Sequence, residues 1–276
     1  MMPKDAERAY LANLGAQGVD HSLNKPFSDP ECGIHLAAIG FIMRLLPPPP
    51  ARILDLGCGG GWTSIFYARL GYQVTGQDIA PDMIAVARDN ARINDVGSRT
   101  DFLCGDFEHM ELGAQYDAAI FFDSLHHAED EALAIHAAWR ALKPGGILIT
   151  HEPGEGHSQS VESIAAMARF GVNERDMPPH LIMARGRDAG FTGFRVLPMP
   201  SLLYSTFYQP RDYSGRWFSK RRWKMLARAA RMIFKNLTYR RSHGQFPATR
   251  IIDLATDPIE LGATVLTQAQ IGVDVR

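Results

Sequence analysis

The string Asp55-Leu56-Gly57-Cys58-Gly59-Gly60-Gly61-Trp62 constrains this chain more than any other. It lies at the end of Arg52–Leu56, a short apolar run that reads as a buried parallel strand, and it leads into a segment that reads as a helix. Glycines at such a junction let the backbone approach a ligand closely. A dinucleotide fingerprint needs its third glycine at position 62, where this chain has Trp62. An acid at the strand end also repels a pyrophosphate, whereas it attracts a ligand that carries an ammonium group.

Around this junction strands and helices alternate. Helical spacing of Ile34, Ala37, Ala38, Phe41, Ile42 and Leu45 predicts a helix over 33–46, ended by Pro47 to Pro50, which read as a stiff spacer. Strands are predicted at 72–77, 101–104, Tyr116–Phe122 and 147–151, with helices at Pro81–Ile93 and 129–142. The alternation implies right-handed βαβ crossovers and a mostly parallel sheet with helices on both faces, so the fold class is α/β. Beyond 152 the rhythm loosens. Ser158 or Ser160 caps a helix to 169, another runs over 180–189, and strands follow at 193–197 and 263–270. The first thirty residues predict a short helix at 6–14 and then a loop through Gly15, Gly18 and Asn24-Lys25-Pro26, an arm or lid.

Composition sets the class. With 46% hydrophobic and 21% charged residues, the chain reads as neither disordered, collagen-like nor a disulfide scaffold. Cys32, Cys58 and Cys104 cannot all pair and form no CxxC, which fits reduced thiols in a cytosol. Cys58 reads as a small packing residue and Cys104 as core. The N-terminus has no signal-type apolar stretch, and the most apolar run, 34–43, contains His35 and is too short to span a bilayer. The expected location is cytoplasmic.

The glycine string resembles the first motif of the class I S-adenosylmethionine-dependent methyltransferases, an acid followed by Gly-x-Gly-x-Gly, here Asp55, Gly57, Gly59 and Gly61. Three further features stand in that family's order: Asp78 at the end of the second strand, Gly105-Asp106-Phe107 after the third, and Leu142-Lys143-Pro144-Gly145-Gly146 before the fifth. The resemblance implies S-adenosyl-L-methionine as cofactor, S-adenosyl-L-homocysteine as product, and a Rossmann-like seven-stranded sheet of five parallel strands plus an added hairpin. It also implies that Asp78 accepts from the ribose hydroxyls, that Ile79 and Met83 flank adenine, and that Asp106 accepts from the adenine amino group. Asp123 or Ser124 touches the methionine part, and Cys58 sits in the glycine loop where the family often has cysteine. Ala80 departs from the usual capping Ser.

Ends of parallel strands face the ligand crevice in open sheets, so Asp123-Ser124-Leu125-His126-His127 and His151-Glu152-Pro153-Gly154-Glu155-Gly156-His157 border the transfer site. Methyl transfer to a hydroxyl requires removal of its proton, and histidine is a suitable base near neutral pH. His126 and His127 are the first candidates, with Glu152 and His157 as alternatives. The spacing within 151–157 matches no metal motif, so no metal is assigned. Trp62, Phe107, Phe122 and Phe27 are available to exclude water, and His136 reads as a half-buried helix residue.

A charge asymmetry hides in the net charge of −1: residues 211–241 carry eleven Lys or Arg against Asp212, leaving that segment at +10 and the remainder at −11. The basic stretch 216–235 is interleaved with Trp217, Phe218, Trp223 and Phe234, so it suits a helical cover, an anionic membrane surface or a lipid-linked substrate, with nucleic acid least favoured. The expected organisation is an N-terminal arm and helix (1–50), a cofactor-binding domain (51–197), a basic helical cap (198–246) and a C-terminal segment (247–276). The expected function is O-methylation of a sugar or other small hydroxylated acceptor. C-methylation of a lipid-like or quinone acceptor, or a non-catalytic sensor of the cofactor, are the alternatives. The sequence leaves the oligomeric state open.

Overall fold

The computed structural model describes residues 3–198, the single position 227 and residues 250–255. Seven parallel strands form one sheet in the order β3-β2-β1-β4-β5-β7-β6. These are β1 (Arg52–Leu56), β2 (Gln73–Asp78), β3 (Thr100–Cys104), β4 (Tyr116–Phe122), β5 (Leu142–Glu152), β6 (Gly193–Pro198) and β7 (Arg250–Ala255). The central strands are apolar on both faces because helices cover both: Ile53, Leu54, Leu56, Ile120, Phe121, Leu148 and Ile149 are fully buried. Strand order reverses between β1 and β4, which pair Ile53 with Ala118 and Leu56 with Phe121. A ligand crevice opens at such a switch point, beyond the strands' carboxyl ends.

Among the described residues five helices follow β1, and all but the one at Val161–Phe170 pack on the strands. They are α4 (Trp62–Leu70), α5 (Pro81–Ile93), α6 (Glu131–Ala141), α7 (Val161–Phe170) and α8 (Pro179–Ala189). Pro81 opens α5 at a position where its missing N–H costs nothing. Asp130 caps α6 and Ser160 caps α7 through side-chain oxygens that accept from backbone amides one turn on. Before the sheet come α1 (Pro3–Arg8), α2 (Tyr10–Asn24) and α3 (Cys32–Leu45).

The structure corrects several expectations. The loop predicted through Gly15 and Gly18 is part of α2, which bends at Gly15 (φ 65°) and continues to Asn24. Gly18 is buried against Leu14 and Leu11, and that packing outweighs the poor helix propensity of glycine. Lys143 to Gly146 form a bulge within β5, where the register jumps from Tyr116–Leu142 to Ala118–Ile147. No hairpin joins the last two strands, since β6 and β7 run parallel. Residues 199–249 lie between them, and a parallel neighbour needs such a long crossover. Cys104 is exposed, not core. The strand at 263–270, the cap at 198–246 beyond Pro198 and all of the basic stretch except Ala227 lie outside the described residues. Among the described residues no helix is long and apolar enough to cross a membrane.

Candidate functional site

The loop after β1 descends toward the crevice in left-handed turns. Gly57 has φ 68°, and a Cβ there would lie 2.5 Å from that of Ser124. Gly61 has φ 77°, and a Cβ there would meet that of Ala87 on α5 at 2.9 Å. The first glycine keeps the β1 and β4 loops in contact; the second lets α4 and α5 close up.

Beyond these loops lies a cavity of about 350 Å³. Its sheet-side wall consists of Gly57 to Gly60, Trp62, Asp78, Ile79, Ala80, Met83, Asp106, Phe107, Phe122, Asp123 and Ser124. The opposite wall comes from α1 and α2, through Lys4, Glu7, Tyr10, Leu14, His21 and Ser22. His127, Val172 and Glu174 line it as well.

Ten of the expected residues are thereby brought together: Gly57, Cys58, Gly59, Asp78, Ile79, Met83, Asp106, Phe107, Asp123 and Ser124. Asp78 accepts from Gly59 N (2.8 Å) and Ala80 N (2.9 Å), which fixes its carboxylate between the two loops. Burial nonetheless raises its pKa. Ser124 Oγ donates to Leu56 O at 2.7 Å. Asp123 sits in the left-handed region (φ 48°) with Oδ1 3.1 Å from His151 Nδ1. Burial opposes its ionisation, but the charge and hydrogen bond of His151 prevail and hold its pKa at about 2. Burial likewise pushes the Cys58 thiol well up, in keeping with a packing role.

Of the expected bases only His127 lines the cavity as well; the remaining expected site residues lie off its wall. Asp55 is buried beneath the loop, where Thr63 Oγ1 and Ser64 Oγ each donate to its Oδ2 at 2.6 Å. Burial raises its pKa to about 6 despite those two bonds. Gly61 packs on α5, and the carbonyl of Gly105 accepts from Gln77 Nε2. Glu152 spends both oxygens on the β4 loop, with Oε1 accepting from Ser124 N (3.0 Å) and Leu125 N (2.8 Å), and Oε2 meeting His126 Nδ1 at 2.8 Å. That geometry holds the loop in place. His126 is buried, and His157 Nε2 lies 2.7 Å from Glu174 Oε2. Phe27 is 73% exposed and excludes no water from the site, whereas Trp62 and Phe122 meet edge to face with ring centroids 5.4 Å apart. His136 is half-buried and stacks on Trp139.

His127 differs from the base expected of it. Its Nδ1 lies 2.7 Å from Asn173 O and 3.2 Å from Glu7 Oε1. Burial alone would lower its pKa, but Glu7 and Glu174 outweigh that and raise it to about 9. It is an imidazolium at neutral pH. A ring nitrogen of His126, one of His127 and an oxygen of Glu174 lie within 4.8 Å of one another, but as an imidazolium His127 offers no lone pair to a cation.

Lys4, Glu7, Tyr10 and Glu174 were not identified from the sequence. Lys4 Nζ reaches Asp106 Oδ2 and lies 2.9 Å from Glu108 Oε2, pinning α1 across the crevice. Nothing in the local pattern of 3–10 marks these residues, because their meaning comes from docking on elements a hundred residues away.

The donors fit the cofactor of the resembled family. Bare glycine backbone, three carboxylates (Asp78, Asp106 and Asp123) and the aromatic faces of Trp62, Phe107 and Phe122 suit a ligand with hydroxyls, an ammonium and a flat base.

Comparison with known proteins agrees. Residues 54–150 match the family model described as a methyltransferase domain. A ubiquinone biosynthesis O-methyltransferase of Xanthomonas axonopodis pv. citri is 38% identical over 110 residues, 39% of this chain and 45% of the relative. Its counterpart in Xanthomonas oryzae pv. oryzae is 41% identical over 112 residues, 40% of this chain and 46% of the relative. The chain thus spans less than half the length of these curated relatives. Among solved structures, a geranyl diphosphate methyltransferase in complex with GPP and sinefungin shares the fold, with TM-score 0.57 at 15% identity over 68% of this chain and 81% of that one. A geranyl diphosphate C-methyltransferase from Streptomyces coelicolor does so with TM-score 0.50 at 17% identity over 57% and 62%. On the motifs, the sheet and the family match, residues 54–150 are similar to a methyltransferase domain of the class I S-adenosylmethionine-dependent kind.

Proposed function

We propose that the chain transfers a methyl group from S-adenosyl-L-methionine to a hydroxyl oxygen of a small acceptor. The observation that carries this reading is that one cavity is lined both by the glycine loop with Asp78 and by His127, Tyr10, Glu7 and Glu174. The likeness to relatives named as O-methyltransferases supports oxygen as the receiving atom.

When bound, the cofactor supplies an electrophilic sulfonium methyl. In this reading Asp78 holds the ribose hydroxyls, Ile79 and Met83 flank the adenine, Asp106 accepts from its amino group, and Asp123 with Ser124 faces the methionine part. Asp123, ionised down to about pH 2, supplies a standing negative charge for an ammonium. Trp62, Phe107 and Phe122 keep water from the place where sulfonium charge is lost. Catalysis is then mainly alignment of the acceptor oxygen with the methyl carbon.

The C–O bond forms as the methyl–sulfur bond breaks, and the hydroxyl proton must leave. At neutral pH His127 cannot take it. As an imidazolium, His127 instead lowers the cost of negative charge developing on the acceptor oxygen. The proton goes to Glu7, whose Oε1 lies 3.2 Å from His127 Nδ1 on the cavity lining.

Calorimetric titration with S-adenosylmethionine and S-adenosylhomocysteine tests the cofactor half. Transfer of labelled methyl to catechol and to free sugars tests the acceptor half. Folded wild-type protein that binds neither cofactor form rules the reading out.

A further inference from the structure

Glu7 reaches the cavity from α1, and its Oε1 is buried without any hydrogen-bond partner. The adjacent nitrogen, His127 Nδ1, carries one proton, and Asn173 O at 2.7 Å is better placed to accept it than Glu7 at 3.2 Å. Glu7 therefore gains the charge of His127 without its hydrogen bond.

The helix does not need Glu7 in order to dock. Lys4 already ties α1 to Asp106 and Glu108, and Ala6 is fully buried. The oxygen is thus disposed toward a group that enters the cavity. That group must donate a hydrogen bond, so it is an O–H or N–H. Glu174 lines the same cavity, and together with Glu7 it sets the charge around His127. A phosphate or diphosphate entering there would meet the two carboxylates of Glu7 and Glu174 against one imidazolium, His127.

We propose that Glu7 is the acceptor-recognising residue: it accepts a hydrogen bond from a hydroxyl of the acceptor and, with Glu174, excludes phosphorylated acceptors. This deepens the methyl-transfer reading and rests on it. The N-terminal helix is then part of the specificity apparatus.

The test uses the full chain saturated with S-adenosylhomocysteine and titrated with catechol and with inorganic pyrophosphate, in wild type, Glu7→Gln and Glu7→Lys. Catechol is expected to bind the wild type and to weaken at least tenfold in Glu7→Gln, whose shape is retained. Pyrophosphate is expected to bind Glu7→Lys at least tenfold more tightly than wild type, a gain that mere damage to the fold does not produce. S-adenosylhomocysteine affinity should stay within about twofold in Glu7→Gln; a parallel loss of both ligands would mean that Glu7 only props the helix, and would overturn the proposal. Equal catechol affinity in wild type and Glu7→Gln, catechol failing to bind the loaded wild type, or pyrophosphate binding the wild type as well as Glu7→Lys would each overturn it too. If the wild type bound no S-adenosylhomocysteine, the methyl-transfer reading itself would fail and take this proposal with it.

Discussion

The two walls of the cavity are built in different ways. On the sheet side, a strand end, a glycine turn and the next helix place Gly57, Asp78 and Ser124 by backbone geometry, and the side chains are locked by short-range bonds such as Asp78 to Gly59 and Ala80. On the other side, Glu7, His127 and Glu174 come from three separate segments and are held by charge. A backbone-built wall tolerates few substitutions but serves one fixed ligand. A charge-built wall is open to change and suits the part of a family in which acceptors differ.

Substitutions at the two walls should therefore differ in size and kind. Gly57→Ala should do most damage, since φ 68° is strained for alanine and its Cβ would collide with Ser124. A loss of roughly 3–5 kcal/mol of stability is expected by denaturant unfolding, together with loss of cofactor binding. Unchanged unfolding would mean that the loop is plastic and that the contrast drawn above is mistaken. Asp78→Ala should leave the fold intact but weaken S-adenosylmethionine by about a hundredfold, close to 3 kcal/mol, read by calorimetry.

Asp55 offers a sharper contrast, because it belongs to the motif yet lies off the cavity. With a folded pKa of about 6 against an unfolded carboxyl near 3.8, the native state binds more protons than the unfolded chain between those values. Wild-type stability contributed by this group is present below the unfolded pKa and is lost as pH rises through 6. Asp55→Asn abolishes that dependence. Its stability relative to wild type should increase by on the order of 2–3 kcal/mol between pH 4 and pH 7, measured by urea midpoints, with cofactor affinity unchanged.

His127 has the same sign at a higher pH. Its pKa is raised to about 9, so its stabilising pairing is intact below the unfolded histidine value and is lost as pH rises through 9. Its side chain is nearly a third exposed, so solvent screening limits the effect to about 1 kcal/mol. Thermal midpoints of wild type and His127→Gln should converge between pH 7 and pH 10; parallel curves would deny the charged pairing. Phe27→Ala, at a 73% exposed side chain, should change stability by less than about 0.5 kcal/mol and leave cofactor binding alone.

The sequence determined what depends on neighbours along the chain. Runs such as Arg52–Leu56 and Tyr116–Phe122 are strands because their apolar stretches are short and bounded, and Pro81–Ile93 is a helix because Pro opens it and its apolar positions repeat every third or fourth residue. The glycine loop and Asp78 were legible for the same reason. Tertiary structure decided the rest. The strand Arg250–Ala255 stands far along the chain from its neighbours, and its parallel place beside β5 depends on pairing with Ile147 to Glu152. Gly15 and Gly18 read as a loop; Gly15 does interrupt the helix with φ 65°, whereas Gly18 is helical because packing of α2 on α5 outweighs local propensity. Glu152 and Asp55 look like site residues from their positions, but hydrogen bonding from the loop amides and from Thr63 and Ser64 turns them inward. The acceptor side was hidden for a further reason: a carboxylate at position 7 and an imidazole at position 127 acquire a shared charge state only when the fold brings them to 3.2 Å. Local pattern carries backbone geometry, while charge coupling depends on distance in space.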